Sequence, residues 1–112
     1  KIGSYKVQKR NFKLPIGENT ASVLTDFMAN NVKTVYGAAN FPDVAVCAKS
    51  GTAEVGEGQI PHATFAGFVK DERYPLAFII VVENGGSGSE TCSSIAGTVL
   101  QECINSMATV GK

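Results

Sequence analysis

The apolar run Leu76–Val82 constrains the fold of this chain more than any other segment. Its sequence, L-A-F-I-I-V-V, follows Pro75 and precedes the turn-forming residues N-G-G-S-G-S at positions 84–89. A continuous apolar run between turn signals is typical of a β-strand that is buried on both faces. Because an uncovered strand of this kind would promote aggregation, we expect the first residues of the chain or another chain to cover it.

Two further strands are predicted before this run. Residues 44–54 form the first strand, and the turn G-E-G at positions 56–58 separates it from the second strand, His62–Val69. The polar residues K-D-E-R at positions 70–73 then connect the second strand to the apolar run. Connections this short favour antiparallel pairing, so we expect an antiparallel sheet of about three strands.

Helices are predicted on both sides of these strands in the sequence. The first begins near residues 18–20, with Asn19 or Thr20 as its cap, and ends near residues 30–31. Residues 36–43 favour a loop, and the last helix spans residues 90–107. The apolar stripes are Val23, Leu24, Phe27 and Met28 in the first helix, and Ile95, Ala96, Val99, Leu100, Cys103, Ile104 and Met107 in the last. This order predicts an α+β fold in which the sheet packs against an N-proximal and a C-terminal helix.

Composition limits the class of protein. A hydrophobic fraction of 44% predicts a folded domain, and ten basic residues balance ten acidic ones, which argues against a nucleic-acid partner. Residues 1–17 are predicted to be irregular or strand-like. Their basic residues are interpreted as a solvated surface; they are Lys6, Lys9, Arg10 and Lys13. The sequence has no signal peptide and no apolar stretch long enough to span a bilayer.

The three cysteines, Cys47, Cys92 and Cys103, lack zinc-type spacing, and the chain has one histidine. Cys92 and Cys103 are separated by about three helical turns and therefore share one helix face. We interpret the cysteines as small buried apolar residues and expect no metal site and no organic cofactor. A hydrolase that pairs Cys47 with His62 is an alternative interpretation of the same residues.

The run A-K-S-G-T-A-E at positions 48–54 carries the clearest chemistry. Strand alternation places Lys49 on one face and Ser50 and Thr52 on the other. Gly51 has no side chain, so a substrate backbone can approach the strand closely. If the strand lies at a sheet edge, an extended peptide can pair with it, and the Thr52 N–H is placed to donate to an oxyanion. The Lys49 ammonium supplies a positive charge for a substrate carboxylate or for lowering a neighbouring pKa.

This run and its surroundings resemble the penicillin-binding proteins, the serine D,D-transpeptidases of peptidoglycan synthesis. The stretches that carry the resemblance are E-N-T-A-S-V-L-T-D-F-M, A-K-S-G-T-A-E-V-G, P-H-A-T-F-A-G-F and L-A-F-I-I-V-V-E-N-G-G-S-G. The resemblance covers residues 18–107. It implies that residues 18–112 are the C-terminal portion of a transpeptidase domain, with a partial penicillin-binding or serine β-lactamase-like fold.

Members of that family use three motifs, S-x-x-K, S-x-N and K-[ST]-G, and Lys49-Ser50-Gly51 is similar to the third. The resemblance implies catalytic-site roles for these three residues: Lys49 and Ser50 bind the carboxylate of the substrate or β-lactam, and Thr52 gives an oxyanion N–H. The other two motifs do not occur in the chain. Because both precede the third motif in the family, we expect them before Lys1. An N-terminal anchor there would hold the protein at the extracellular face of the bacterial cytoplasmic membrane.

In the intact protein, the resemblance implies cross-linking of peptidoglycan stem peptides through an acyl-serine intermediate. The implied ligands are the stem peptide or a β-lactam, and the remainder of the domain or another chain is expected to cover Leu76–Val82. The chain alone is expected to be inactive. A carboxypeptidase stays open, as does a non-catalytic binding or structural module that senses β-lactam or wall peptide. An anion site at the glycine-rich loop 85–88 is disfavoured, because the loop lacks the Walker lysine and the dinucleotide spacing.

Overall fold

The computed structural model describes residues 3, 4, 6, 13 and 15–110, and it has the predicted order of one helix, three strands and one helix. The helices are α1, Glu18–Asn31, and α2, Gly88–Val110; the strands are β1, Val46–Ala53, β2, His62–Val69, and β3, Ala77–Val82. The strands form one antiparallel sheet in the order β1-β2-β3, which confirms the α+β fold class. Most of the segment 1–17, predicted to be strand-like, lies outside the described residues.

The connection between α1 and β1 is helical where the sequence predicted a loop. A π-helical turn, Val32–Gly37, continues directly from α1, and a 3₁₀ turn, Ala38–Asn40, follows it. Gly37 has a φ of 82°, a left-handed conformation that side chains disfavour, and this residue ends the wide turn. The prediction of a loop over residues 36–43 is therefore wrong as far as Asn40.

The start and the apolar stripe of α1 also differ from the prediction. Gly17 occupies the N-cap position without a side-chain hydrogen bond, and the predicted caps, Asn19 and Thr20, lie inside the helix. Within the stripe, Leu24 is 50% exposed and Phe27 is 64% exposed. The helical spacing was identified correctly, but none of the residues of α1 is fully buried.

The core lies on the sheet face that carries Phe65, which is fully buried in the centre of β2. The ring of Tyr36 meets the Phe65 ring edge-on at a centroid distance of 4.9 Å, and the rings of Phe41 and Phe78 stack on it at 6.3 and 6.0 Å. Helix α2 covers the same face with Cys92, Ala96 and Leu100. Aromatic packing of this kind stabilises the sheet against both the π turn and α2.

Strand β3 is buried on one face only, which corrects the prediction that it is buried on both. Phe78, Ile80 and Val82 are half-buried and pack against the core. The alternate residues point away from the core, and Ile79 is 73% exposed and Val81 is 55% exposed. The apolar character of the second face is therefore not explained by contacts within the described residues.

Helix α2 approaches the backbone of other elements closely at two glycines, Gly88 at its start and Gly97 further along. A Cβ atom on Gly88 would meet the carbonyl oxygens of Gly51 and Thr64, and a Cβ atom on Gly97 would meet the carbonyl oxygen of Asn40. Backbone atoms in these positions cannot swing aside as a flexible side chain can. The close approach accounts for glycine at position 88, and α2 starts two residues before the predicted residue 90.

We predict that Gly97→Ala destabilises the protein by about 1–3 kcal/mol, because the added methyl group overpacks the contact with Asn40. In a helix without this contact, the same change would stabilise by about 1 kcal/mol through helix propensity. Ser106→Ala on the exposed surface of α2 is the control and should change stability by at most about 0.5 kcal/mol. Urea unfolding followed by circular dichroism measures both. A stabilised Gly97→Ala variant would contradict the packing described here.

Candidate active site

Strand β1 lies at an edge of the sheet, so alternate backbone groups on it lack a strand partner among the described residues. The Lys70 N–H donates to the Ala45 carbonyl at 2.7 Å, so the odd-numbered residues of this strand face β2. Because antiparallel pairing alternates every residue, the N–H and C=O groups of Ala48, Ser50 and Thr52 point to the free edge. Within the described part of the chain, the A-K-S-G-T-A-E run thus lies on an edge strand, which is what pairing with an extended peptide would require.

Side chains from α1 and the π turn occupy part of this edge. The Asn31 amide donates to the Ala48 carbonyl at 3.3 Å. The Tyr36 hydroxyl accepts from the Ser50 N–H at 2.8 Å and donates to Ser50 Oγ at 3.0 Å. Within the described residues no such partner reaches the outward groups of Thr52. Among the described residues, side chains therefore occupy the edge of β1 at Ala48 and Ser50 and leave it accessible at Thr52.

The structure brings the charged and hydroxyl groups of the motif to this edge. Lys49 is exposed and its Nζ donates to the Ser50 carbonyl at 2.6 Å, whereas Ser50 is half-buried beneath Tyr36. The predicted separation of Lys49 and Ser50 onto opposite faces is correct, but the long lysine side chain returns its ammonium to the strand edge. An ammonium, a hydroxyl and an N–H without a partner among the described residues thus belong to the four consecutive residues 49–52 at one edge.

A contact within the protein limits the side chain that position 51 can carry. A Cβ atom there would meet Thr64 Oγ1 on β2, and Gly88 packs against the Gly51 backbone. The expectation that its missing side chain admits a substrate backbone stays a prediction. A side chain at position 51 would therefore require the Thr64 side chain to move.

The alternative nucleophilic pair is not assembled. Cys47 lies near one end of β1, whereas His62 pairs with Ala53 at the other end. Six residues of strand separate them, which is about 20 Å. Burial raises the pKa of the Cys47 thiol, and His62 Nδ1 accepts from the Asn84 N–H at 2.9 Å. The Cys47–His62 hydrolase interpretation is therefore wrong.

The described part of the chain also bears on two other kinds of site, a metal site and an anion site at the glycine-rich loop. It contains no grouping of three or more His, Cys, Asp or Glu residues that would hold a metal ion. The glycine-rich loop ties α2 to the strands, since the Gly86 N–H donates to the Pro61 carbonyl at 3.0 Å and the Thr91 hydroxyl donates to the Gly85 carbonyl at 2.6 Å. Neither helix in residues 15–110 is long and apolar enough to cross a bilayer.

Tyr36 and Asn31 belong to the site, but sequence reasoning did not identify them. Both act across 14 to 17 residues of chain, and Tyr36 fell in a segment predicted to be a loop. A buried tyrosine usually needs a hydrogen-bond partner, but no local pattern indicates which residue that partner is.

The edge strand with its K-S-G run occurs within a recognised family of domains. The family model for the penicillin-binding protein transpeptidase domain matches residues 1–105. The chain belongs to this family. The resemblance inferred from the sequence is confirmed at this level. A comparison with curated proteins finds no match.

Solved transpeptidase structures share the fold. Penicillin-binding protein A from M. tuberculosis, solved as an imipenem acyl-enzyme complex, superposes with a TM-score of 0.61 at 24% identity over 84% of this chain and 20% of that chain. Its penicillin G acyl-enzyme complex gives a TM-score of 0.54 at 25% identity over 81% of this chain and 20% of that chain.

A further structure is the D,D-transpeptidase domain of a peptidoglycan glycosyltransferase from Eggerthella lenta. It gives a TM-score of 0.60 at 24% identity and covers 94% of this chain and 23% of that chain. This chain from the transpeptidase family thus spans about a fifth of the length of the structures that it matches.

We predict that the cysteines of the folded chain react with iodoacetamide in a fixed order. Burial raises the pKa values of Cys47 and Cys92, so less of each thiol is in the reactive thiolate form, whereas Cys103 is partly accessible. Cys103 should react first, and the other two at least about tenfold more slowly. Mass spectrometry of digested protein measures the rates, with urea-unfolded chain as the control. Fast labelling of Cys47 in folded protein would contradict its burial.

Proposed function

We propose that residues 18–112 are the C-terminal portion of a peptidoglycan D,D-transpeptidase domain and supply the substrate-binding strand of its active site. The observation that carries this proposal is the edge of β1 that no described strand covers, where the Lys49 ammonium bonds the Ser50 carbonyl and the outward Thr52 N–H has no partner among the described residues. Family membership supports the reaction class, and the K-S-G run supports this location for the site. The nucleophilic serine lies in an S-x-x-K motif outside this chain.

Each group in the proposed site has a chemical task. The substrate or β-lactam lies along the open edge, with its carboxylate at the Lys49 ammonium and the Ser50 hydroxyl. Charge-assisted hydrogen bonds of this kind are about twice as strong as neutral ones. The Thr52 N–H donates to the oxygen of the carbonyl under attack, where negative charge develops in the transition state. The serine hydroxyl attacks this carbonyl, the peptide bond to the terminal D-alanine breaks, and D-alanine leaves as the acyl-serine ester forms. The amine of a neighbouring stem peptide then attacks the ester carbonyl, which forms the cross-linking amide and regenerates the serine hydroxyl.

Location follows the proposed substrate. The rest of the protein carries the S-x-x-K and S-x-N motifs and an N-terminal anchor, which holds the domain at the extracellular face of the bacterial cytoplasmic membrane. Stem peptides of peptidoglycan are found on that side of the membrane. No step of this mechanism uses a metal or an organic cofactor.

We predict that the longer protein that contains this chain forms a stoichiometric acyl adduct with benzylpenicillin, whereas the isolated chain forms none. Lys49→Gln in the longer protein should lower the acylation rate constant by about 100-fold or more, as loss of one electrostatic contact does in comparable sites. Lys33→Gln removes an exposed lysine on the π turn and is the matched control. Intact-mass spectrometry over time measures the adduct.

Three outcomes would contradict parts of this proposal. An adduct on the isolated chain would place the nucleophile within these 112 residues. A longer protein that is acylated by the stem peptide and then hydrolyses the acyl-serine without forming a cross-link would be a carboxypeptidase. Reversible binding of penicillin without an adduct would identify a non-catalytic sensor.

We further propose that the remainder of the transpeptidase domain covers β3. The N–H groups of Ile79 and Val81 point to the free edge of β3, because the Val69 N–H donates to the Leu76 carbonyl and the alternation continues from there. The side chains of the same two residues are exposed. A partner that adds a strand to this edge would satisfy the backbone, and a layer packed on the outer face would bury the side chains.

Hydrogen exchange tests this cover residue by residue. In the isolated chain, the amides of Ile79 and Val81 should exchange rapidly while that of Ile80, which faces β2, is protected. In the longer protein, all three should be protected, and Ala66 on β2 is the control that is protected in both. Protection of Ile79 and Val81 in dilute monomeric chain would contradict the proposal.

A further inference from the structure

The Tyr36 hydroxyl makes two hydrogen bonds to a single residue of the motif. It accepts from the Ser50 N–H at 2.8 Å and donates to Ser50 Oγ at 3.0 Å. Tyr36 is only 5% exposed, and its ring is held edge-on against Phe65. Because the ring is fixed by the core, the position of the hydroxyl is fixed as well.

The direction of these bonds determines what Ser50 can still do. A tyrosine hydroxyl has one proton to donate, and a serine hydroxyl can accept while it donates its own proton elsewhere. The Tyr36 oxygen accepts from the Ser50 N–H, and the Tyr36 O–H donates to Ser50 Oγ. Among the described residues the Ser50 O–H has no acceptor, and this proton is left for a ligand.

We propose that Tyr36 is a positioning residue that presents the Ser50 hydroxyl as a hydrogen-bond donor to the carboxylate of the bound substrate or β-lactam. This proposal rests on the proposed function of the Lys49-Ser50-Gly51 strand. Tyr36 fixes the rotamer of Ser50, and its donated hydrogen bond polarises the serine hydroxyl, which makes that hydroxyl a stronger donor. Tyr36 itself does not touch the ligand.

The closing experiment compares two ligands in the longer protein. Benzylpenicillin carries the carboxylate, and its methyl ester lacks the negative charge. Tyr36→Phe keeps the ring on Phe65 and deletes both hydrogen bonds. We expect it to lower the acylation rate constant for benzylpenicillin by about tenfold, because a Ser50 hydroxyl that is no longer held in place makes a weaker hydrogen bond to the charged carboxylate. The constant for the ester should change by less than about twofold, because the ester makes no charge-assisted bond.

Control variants separate this role from a general loss of packing. Tyr74→Phe removes a tyrosine hydroxyl on the β2–β3 connection and should leave both rate constants unchanged. Ser50→Ala should lower the benzylpenicillin constant, and Tyr36→Phe added to it should have no further effect on the preference for the carboxylate, since coupled residues are not additive. Equal tenfold losses for both ligands in Tyr36→Phe would overturn the proposal in favour of a structural role.

Two remaining outcomes separate a failure of the proposed function from a failure of the role of Tyr36. Wild-type protein that forms no adduct with either ligand would overturn the proposed function, and the role of Tyr36 with it. Normal acylation with an unchanged preference in Tyr36→Phe would overturn the role of Tyr36 alone. If Tyr36→Phe does not melt cooperatively, 3-fluorotyrosine at position 36 replaces it. Its more acidic hydroxyl should raise the preference for benzylpenicillin over the ester, and a fall would count against the proposal.

Discussion

The free edge of β1 is the constraint on which the rest of the site depends. Antiparallel pairing sends the backbone groups of Ala48, Ser50 and Thr52 outward, and a buried polar group without a partner costs about 1–3 kcal/mol. Asn31 from α1 donates to the outward Ala48 carbonyl, and Tyr36 from the π turn accepts from the outward Ser50 N–H. The same hydrogen bonds therefore attach the helical segment to the sheet and determine where, among the described residues, the edge of β1 is left without a partner.

A second constraint comes from apolar surface that the described residues leave uncovered. It lies on three separate elements: the outer face of β3, the stripe of α1, and the side of α2 that carries Ile95 and Val99. Proteins are built from layers that bury such faces against one another. We infer that the described residues form a sheet with one completed layer, and that the outer faces belong to interfaces with the remainder of a larger domain. The coverage of about a fifth of each matched structure accords with this inference.

Sequence patterns predicted the elements well but not their surroundings. The strand His62–Val69 and the order of helices and strands follow from alternation and turn residues, which are local signals. The errors on β3 and on the stripe of α1 have a common physical cause. An apolar pattern indicates that a partner surface exists, but it does not indicate whether that partner lies in the same chain. Tyr36 was missed for a related reason, because its hydrogen bonds to Ser50 join residues that no local pattern connects.

In the proposed site, this chain supplies the groups that bind the ligand, and the nucleophile comes from another part of the protein. In the proposed site, Lys49 and Ser50 act on the carboxylate of the ligand, and the Thr52 N–H acts on the carbonyl under attack. Changes to these residues therefore affect binding and transition-state stabilisation rather than the nucleophile itself. In the same proposal the Ser50 hydroxyl has two tasks, since it accepts from Tyr36 and would donate to a carboxylate. An alanine there would leave the Tyr36 hydroxyl without its acceptor, whereas a threonine would preserve both hydrogen bonds. The proposed chemistry of this strand therefore depends on a hydroxyl at position 50 as much as on the positive charge beside it.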